Sequence, residues 1–125
     1  MSGNKLFIDT NILIYFLKGD QEVIEMISDK DPVISFITEL ELLAFPEDSH
    51  DSESTVKGLL KNCSIIDITK EIKKATIVFR KKSPLKLPDA IIAATAQFME
   101  LPLVTADKQF KAIKDLDVIF YELEE

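Results

Sequence analysis

Four acidic residues of this chain lie where predicted strands end or predicted helices begin. Asp9 follows the apolar run Leu6–Ile8, and Asp107 follows a second such run. Glu41 and Asp89 lie near the starts of two predicted helices. A carboxylate next to a buried strand is unfavourable unless it is hydrogen-bonded, paired or bound to a metal ion. The four residues together therefore indicate one acidic pocket that binds a divalent cation.

The ligands in this pattern are all oxygen atoms, which restricts the chemistry. Two carboxylates ~5 Å apart repel each other by roughly 3 kcal/mol at an effective dielectric of ~20. Such a cluster either takes up protons or recruits a cation. Oxygen ligands without histidine or thiolate favour Mg²⁺ or Mn²⁺ over zinc, and substrate phosphate commonly completes a Mg²⁺ site. The pattern thus favours phosphodiester chemistry, in which the metal activates a water.

Asp9 and Asp107 also have explanations that involve no ligand. Asp9 could cap the following helix by accepting hydrogen bonds from the backbone N–H groups of Ile12 or Leu13. Asp107 could be an ordinary turn or cap residue. Each of these explanations is sufficient for one residue, and neither explains why both acids follow predicted strands.

Glu41 and Asp89 can likewise be explained by helix capping. Thr38 and Glu41 match the spacing of a capping box, and Asp89 directly follows Pro88, as suits a first helical turn. Glu39 competes with Glu41, but side chains two residues apart on a helix point about 200° apart. Only one of these two glutamates can therefore face a shared pocket.

Size and composition predict one domain over residues 1–125, with a core of its own. The N-terminus resembles no secretory signal, and Leu6–Leu17 is too short and too polar at Asp9 and Asn11 to span a bilayer. Cys63 is the single cysteine, which excludes an intrachain disulfide and predicts an inert thiol. We expect a cytoplasmic protein.

The charge of the chain is unevenly distributed. The formal net charge is −7, yet Lys70–Lys86 contains many basic residues and the single acid Glu71. This stretch could be a solvated helix face or a rim that contacts phosphates. The polar segment Glu47–Glu53 is predicted to be a loop or a loose helix start, and we assign no role to His50 within it.

Short apolar runs alternate with longer helical patterns along the whole chain. We predict strands at 6–8, 33–36, 64–68, 103–105 and 118–121, and helices at 12–17, 21–28, 39–45, 56–61, 70–81 and 89–99. A helical turn is predicted at 108–113. This alternation indicates an α/β fold with a mainly parallel central β-sheet flanked by helices. In such sheets, sites form beyond the carboxyl ends of the strands, near a switch in strand order.

Four motifs in this order resemble the PIN-domain family, in particular the VapC-type toxin ribonucleases. They are FIDTNILI at 7–14, ISFITELEL at 34–42, LPDAIIAATA at 87–96 and LVTADKQF at 103–110. The resemblance covers nearly the whole chain and selects Glu41 over Glu39. It implies a PIN-like three-layer fold and a Mg²⁺- or Mn²⁺-dependent endoribonuclease.

The resemblance also implies roles for individual residues and for partners. The acidic quartet, catalytic and metal-binding, would be Asp9, Glu41, Asp89 and Asp107. The supporting polar positions would be Thr10, Asn11 and Thr105. The candidate RNA-contacting residues are Lys73, Lys74, Arg80, Lys81, Lys82 and Lys86. Toxins of this type are typically homodimers inhibited by a partner antitoxin, which we expect here as well.

Other functions on an α/β fold fit the sequence less well. A phosphoacceptor signalling module needs an acidic pair after the first strand, and a phosphatase of the Asp-x-Asp type needs a second aspartate where this chain has Asn11. The alternatives that stay open are a catalytically silent binding module on the PIN fold and a nuclease that acts on DNA.

Overall fold

The computed structural model describes residues 4–45 and 52–122. Its helices and strands, in chain order, are β1 Lys5–Ile8, α1 Thr10–Leu17, α2 Gln21–Ile27, β2 Asp31–Ser35, α3 Phe36–Ala44, α4 Ser52–Lys61, β3 Ser64–Ile66, α5 Lys70–Lys82, α6 Leu87–Met99, β4 Leu103–Thr105 and β5 Val118–Phe120. A short 3₁₀ helix, Lys108–Ala112, lies between β4 and β5. Most of the predicted loop Glu47–Glu53, with His50, lies outside the described residues.

The five strands form one parallel sheet in the order β3-β2-β1-β4-β5. The predicted α/β class and the parallel sheet are therefore confirmed. On one side of β1 the sheet continues with β2 and β3. On the other side it continues with β4 and β5. The switch in strand order consequently lies between β1 and β4, and the carboxyl ends of both strands open onto it.

Two apolar layers cover the two faces of the sheet. Along β1, Phe7 packs into the layer formed with α5 and α6, whereas Leu6 and Ile8 pack into the layer formed with α1, α2 and α4. Successive side chains of a strand point to opposite faces, so a strand buried on both sides must be apolar throughout. This is why Leu6–Ile8 reads as a continuous apolar run, and it yields the three-layer architecture.

The start of α3 differs from the sequence prediction. We predicted a strand to Phe36 and a helix from Glu39, with Thr38 and Glu41 as a capping box. In the structure β2 ends at Ser35, whose Oγ accepts from the backbone N–H of Ile37 at 3.0 Å and caps α3. The helix therefore begins three residues earlier, Glu41 lies in its second turn, and the capping-box interpretation is wrong.

Two further expectations concern the membrane and the thiol. No helix in the described parts of the chain is both long and apolar enough to cross a bilayer. Cys63 is half-buried and its Sγ lies 3.5 Å from the carbonyl oxygen of Leu59. Burial raises the pKa of this thiol to about 11, so the nucleophilic thiolate is scarce at neutral pH.

Candidate active site

The predicted acidic residues surround one open pocket at the carboxyl ends of β1 and β4. The pocket has a volume of about 230 Å³, and its lining residues are Asp9, Thr10, Asn11, Ile14, Glu41, Phe45, Asp89 and Asp107. This space has room for a hydrated ion, and its lining is mostly polar. The structure thus brings all four carboxylates to the switch in strand order.

Asp9 is the most buried of the four, with only 6% of its surface exposed. It caps α1, and its Oδ1 accepts from the backbone N–H of Thr10 at 2.8 Å rather than from the predicted donors further along the helix. The pKa of Asp9 is raised from 3.8 to about 6, chiefly by burial and to a smaller extent by the charges of Asp89 and Asp107. Hydrogen bonds from Thr105 and Thr10 oppose this rise without cancelling it.

Thr105 connects the two strands at the base of the pocket. Its hydroxyl donates to Asp9 Oδ2 at 2.7 Å and accepts from the backbone N–H of Asp107 at 3.0 Å. The side chain is fully buried, so both hydrogen bonds are shielded from water. Thr105 therefore fixes the Asp9 carboxylate and the loop that carries Asp107 relative to each other.

Glu41 is positioned by a chain of two threonine hydroxyls. Thr10 Oγ1 lies 2.5 Å from Glu41 Oε1 and 2.9 Å from Thr38 Oγ1. A hydroxyl has one proton to donate, and the shorter contact to an ionised acceptor takes it. Thr38, which is fully buried, must then donate to Thr10. The polar chain runs from Thr38 through Thr10 to the carboxylate of Glu41.

Asp89 and Asp107 face each other from α6 and the loop after β4. Partial burial raises the pKa of Asp89, and the nearby charges of Asp107 and Glu41 add to that rise. Lys86 and Gln109 act in the opposite direction. Gln109 also donates to Asp107 Oδ2 at 3.0 Å, and its backbone N–H donates to Oδ1 at the same distance. Asp107 thus caps the 3₁₀ helix, as its turn position allowed, while still lining the pocket.

The donor set fits a divalent cation. In the described residues, no three Asp, Glu, His or Cys side chains form a ready-made set of ligands around one point. Mutual repulsion keeps carboxylates apart when no positive charge lies between them. All four nevertheless line the same pocket, and the pKa values of Asp9 and Asp89 are raised, chiefly by burial and also by the charges of neighbouring carboxylates. A hard cation with oxygen preference matches this arrangement.

The basic stretch lies mostly on α5, and none of its residues is part of the pocket lining. Arg80 Nη1 donates to the carbonyl oxygen of Leu85 at 2.8 Å and thereby holds the turn between α5 and α6. Lys86 caps α6, and its charge acts on the pKa of Asp89. Of the predicted RNA-contacting residues, Lys86 therefore lies close enough to Asp89 for its charge to lower the pKa of that carboxyl.

Sequence reasoning missed the contributions of Thr38, Gln109, Ile14 and Phe45. Thr38 was interpreted as a helix cap because threonine is common both at helix caps and in buried hydrogen-bond chains. Ile14 and Phe45 have a recognisable signal, since Ile14 lies four residues after Thr10 on α1 and Phe45 directly follows α3, four residues after Glu41. Gln109 has no signal that we can identify, because its role depends on the loop conformation after β4.

Comparison with known proteins identifies the family. The sequence model for the PIN domain matches residues 6–116. This chain belongs to the PIN domain family. The predicted PIN-like fold is thereby confirmed, and the acidic pocket lies within the matched residues.

Individual relatives of this PIN domain extend the comparison. Ribonuclease VapC2 of Methanocaldococcus jannaschii is 29% identical over 142 aligned positions, which take in 95% of each chain. A chain of a toxin–antitoxin complex from Klebsiella pneumoniae is 33% identical, with a TM-score of 0.83 over 94% of this chain and 99% of that one. A chain of Rickettsia felis VapBC2, bound to a promoter DNA fragment, has a TM-score of 0.82 with the same coverage. At 20% identity, this last likeness concerns the fold alone.

Proposed function

We propose that this PIN domain is a metal-dependent endoribonuclease that hydrolyses RNA phosphodiester bonds. The observation that carries the proposal is the convergence of Asp9, Glu41, Asp89 and Asp107 on one pocket at the switch in strand order. The similarity to Ribonuclease VapC2 supports RNA as the substrate. The proposed cofactor is Mg²⁺ or Mn²⁺.

The chain's own residues supply the positioning for this chemistry. Asp9, Asp89 and Glu41 would hold the ion directly or through water, with Asp107 completing the set. A bound Mg²⁺ or Mn²⁺ supplies activation of a water nucleophile and stabilisation of charge on the leaving oxygen. Thr105 keeps the Asp9 carboxylate oriented, and the hydroxyl of Thr10 keeps that of Glu41 oriented. Asn11 at the rim is placed to hydrogen-bond a water or a phosphate oxygen.

The first experiment is cleavage of labelled single-stranded RNA by the purified protein in Mn²⁺, with EDTA and Asp89→Asn as controls. We expect cleavage that EDTA abolishes and that Asp89→Asn abolishes while the circular dichroism spectrum is unchanged. Activity of Asp89→Asn at the wild-type level would refute the assigned site. A parallel single-stranded DNA substrate tests the alternative of a DNA nuclease. Metal binding without any cleavage would favour a silent binding module.

We also propose that Lys86 contacts the RNA backbone and that Lys73, Lys74, Arg80, Lys81 and Lys82 extend this basic surface along α5. Removing one phosphate contact to single-stranded RNA lowers the salt dependence of log K by about 0.7. Lys86→Ala should show this reduction, with weaker binding at low salt. The control Lys114→Ala removes an exposed lysine before β5, at the opposite edge of the sheet. Equal salt slopes for both variants and wild type would exclude Lys86 from the RNA interface.

The biological role that we propose is the toxin of a type II toxin–antitoxin pair, acting as a homodimer in the cytoplasm. The support is the similarity to a chain of the Klebsiella pneumoniae toxin–antitoxin complex at 33% identity. The protein encoded beside this chain should co-purify with it and suppress RNA cleavage. A neighbouring protein that neither binds nor inhibits would argue against the pairing.

A further inference from the structure

The acidic pocket has an apolar side that metal binding does not require. Ile14 and Phe45 line it together with the four carboxylates. Ile14 is half-buried, whereas 40% of the surface of Phe45 is exposed. An exposed aromatic ring beside a cluster of carboxylates adds nothing to the binding of a hard cation, which prefers oxygen ligands and water. The ring therefore indicates that the pocket also binds a ligand group other than the cation.

Helix periodicity explains how the apolar side arises. Residues four apart on a helix lie on the same face, about one turn of 5.4 Å from each other. Ile14 lies one turn beyond Thr10 on α1, and Phe45 follows the last turn of α3, four residues beyond Glu41. The apolar pair therefore follows the polar pair, Thr10 and Glu41, by about one helical turn in each case.

We propose that Phe45 stacks on an unpaired RNA base next to the phosphate held in the pocket, with Ile14 as the side wall of the base site. This inference rests on the proposed ribonuclease function. One helical turn between the carboxylate and the ring leaves space for the ribose that joins a phosphate to its base. The exposed ring face suits a single strand, because bases in a duplex are already stacked on both faces.

The same helix offers a matched control for this ring. Leu43 is 45% exposed, similar to Phe45, and lies on α3 two residues before Phe45, but it is not part of the pocket lining. Truncation of Leu43 removes comparable exposed apolar surface from the same element. An effect on the KM for RNA that is specific to the pocket should therefore appear when Phe45 is substituted and not when Leu43 is substituted.

The test compares Phe45→Leu, Phe45→Trp and Leu43→Ala in the Mn²⁺ cleavage assay on single-stranded RNA. Alanine substitution of a stacking aromatic weakens binding by about 10-fold per base. We expect Phe45→Leu to raise KM by about this factor with kcat within about twofold. Phe45→Trp should retain the wild-type KM because it keeps a ring, and Leu43→Ala should not change it. Thermal melting checks that all three variants are folded.

A second substrate distinguishes stacking of Phe45 on an RNA base from a purely structural role of Phe45 in packing. It is an RNA strand of the same sequence that lacks the bases on either side of the mapped cleavage site. The wild type should lose about 10-fold in KM on this strand, whereas Phe45→Leu should show no further loss. An unchanged KM for Phe45→Leu, or an equal further loss on the abasic strand, would overturn the stacking role while leaving the nuclease intact. A wild type inactive on every RNA would overturn the proposed function and this inference together.

Discussion

Replacement of Asp9 by Asn is expected to abolish RNA cleavage and, at the same time, to stabilise the metal-free protein above pH 6. The loss of a buried ligand removes several kcal/mol of transition-state stabilisation, which corresponds to a rate decrease of about 10³-fold or more. Asparagine keeps the acceptor for the Thr10 N–H and can donate to the Thr105 hydroxyl. The fold should therefore tolerate the substitution.

The stabilisation follows from the raised pKa of Asp9. The folded protein holds a proton on this carboxyl up to about pH 6, whereas the unfolded chain releases it near 3.8. The folded state thus binds more protons in this window, so stability falls as pH rises from about 4 to 6. Asparagine does not ionise, so it avoids the cost of this pKa difference, and we expect it to add about 3 kcal/mol to the free energy of unfolding at pH 8, or roughly 12 °C in Tm.

The pH profile provides the check on this explanation. In EDTA, the difference in Tm between Asp9→Asn and wild type should be largest at pH 8 and should disappear near pH 4. Asp115→Asn is the control, because it removes an exposed carboxylate before β5, at the amino-terminal edge of the sheet. It should change neither activity nor the pH profile. If Asp9→Asn were less stable than wild type at pH 8, the hydrogen bonds to the Asp9 carboxylate would contribute more to stability than the burial of its charge costs.

Addition of Mn²⁺ or Mg²⁺ is expected to stabilise the wild-type protein strongly at pH 8 and weakly at pH 5. A ligand that binds only the folded state adds about 2.7 kcal/mol at 100 times its Kd. The cation relieves the repulsion among the four carboxylates, which the metal-free pocket cannot avoid. Because a proton competes with the metal for Asp9, whose pKa is about 6, the stabilisation should fade as pH falls through this value.

Two glutamates on α3 allow a test of whether the metal ion binds in the pocket. Glu41 lines the pocket, whereas Glu39 is not part of the lining. Glu41→Gln and Asp89→Asn should each reduce the Mn²⁺-induced rise in Tm, and Glu39→Gln should leave it unchanged. If Mn²⁺ raised the Tm of Asp89→Asn as much as that of wild type, the ion would bind elsewhere on the protein.

The opposite signs of the two expected stability effects share one physical cause. Burial and mutual repulsion disfavour ionised carboxylates in the metal-free pocket, and the same negative charge is what we expect to attract a cation. Removing a carboxylate therefore stabilises the protein without metal and weakens its response to metal. Activity and stability thus make opposite demands on the same side chains, and Asp9 shows this most clearly because it is the most buried of the four.

Local pattern was a reliable guide to the elements and less reliable at their ends. The continuous apolar run of β1 and the apolar face of α5 specify a buried strand and an amphipathic helix without reference to the rest of the chain. The start of α3 was misassigned because Phe36 and Ile37 extend the apolar run of β2. Ser35 and Thr38 are both acceptable caps by type, and only the buried contact of Thr38 with Thr10 decides between them.

The sequence by itself determined which elements this chain forms and that its unexplained carboxylates lie at their ends, because hydrophobic periodicity and helix starts are local properties. The tertiary structure alone decided that these ends meet. Asp9 and Thr105 are 96 residues apart in sequence, and they share a hydrogen bond only because β4 pairs with β1 rather than with the strand before it. Strand order is set by the burial of both sheet faces at once, which no local segment specifies. The apolar side formed by Ile14 and Phe45 depends on the same packing, because Ile14 belongs to α1 whereas Phe45 directly follows α3.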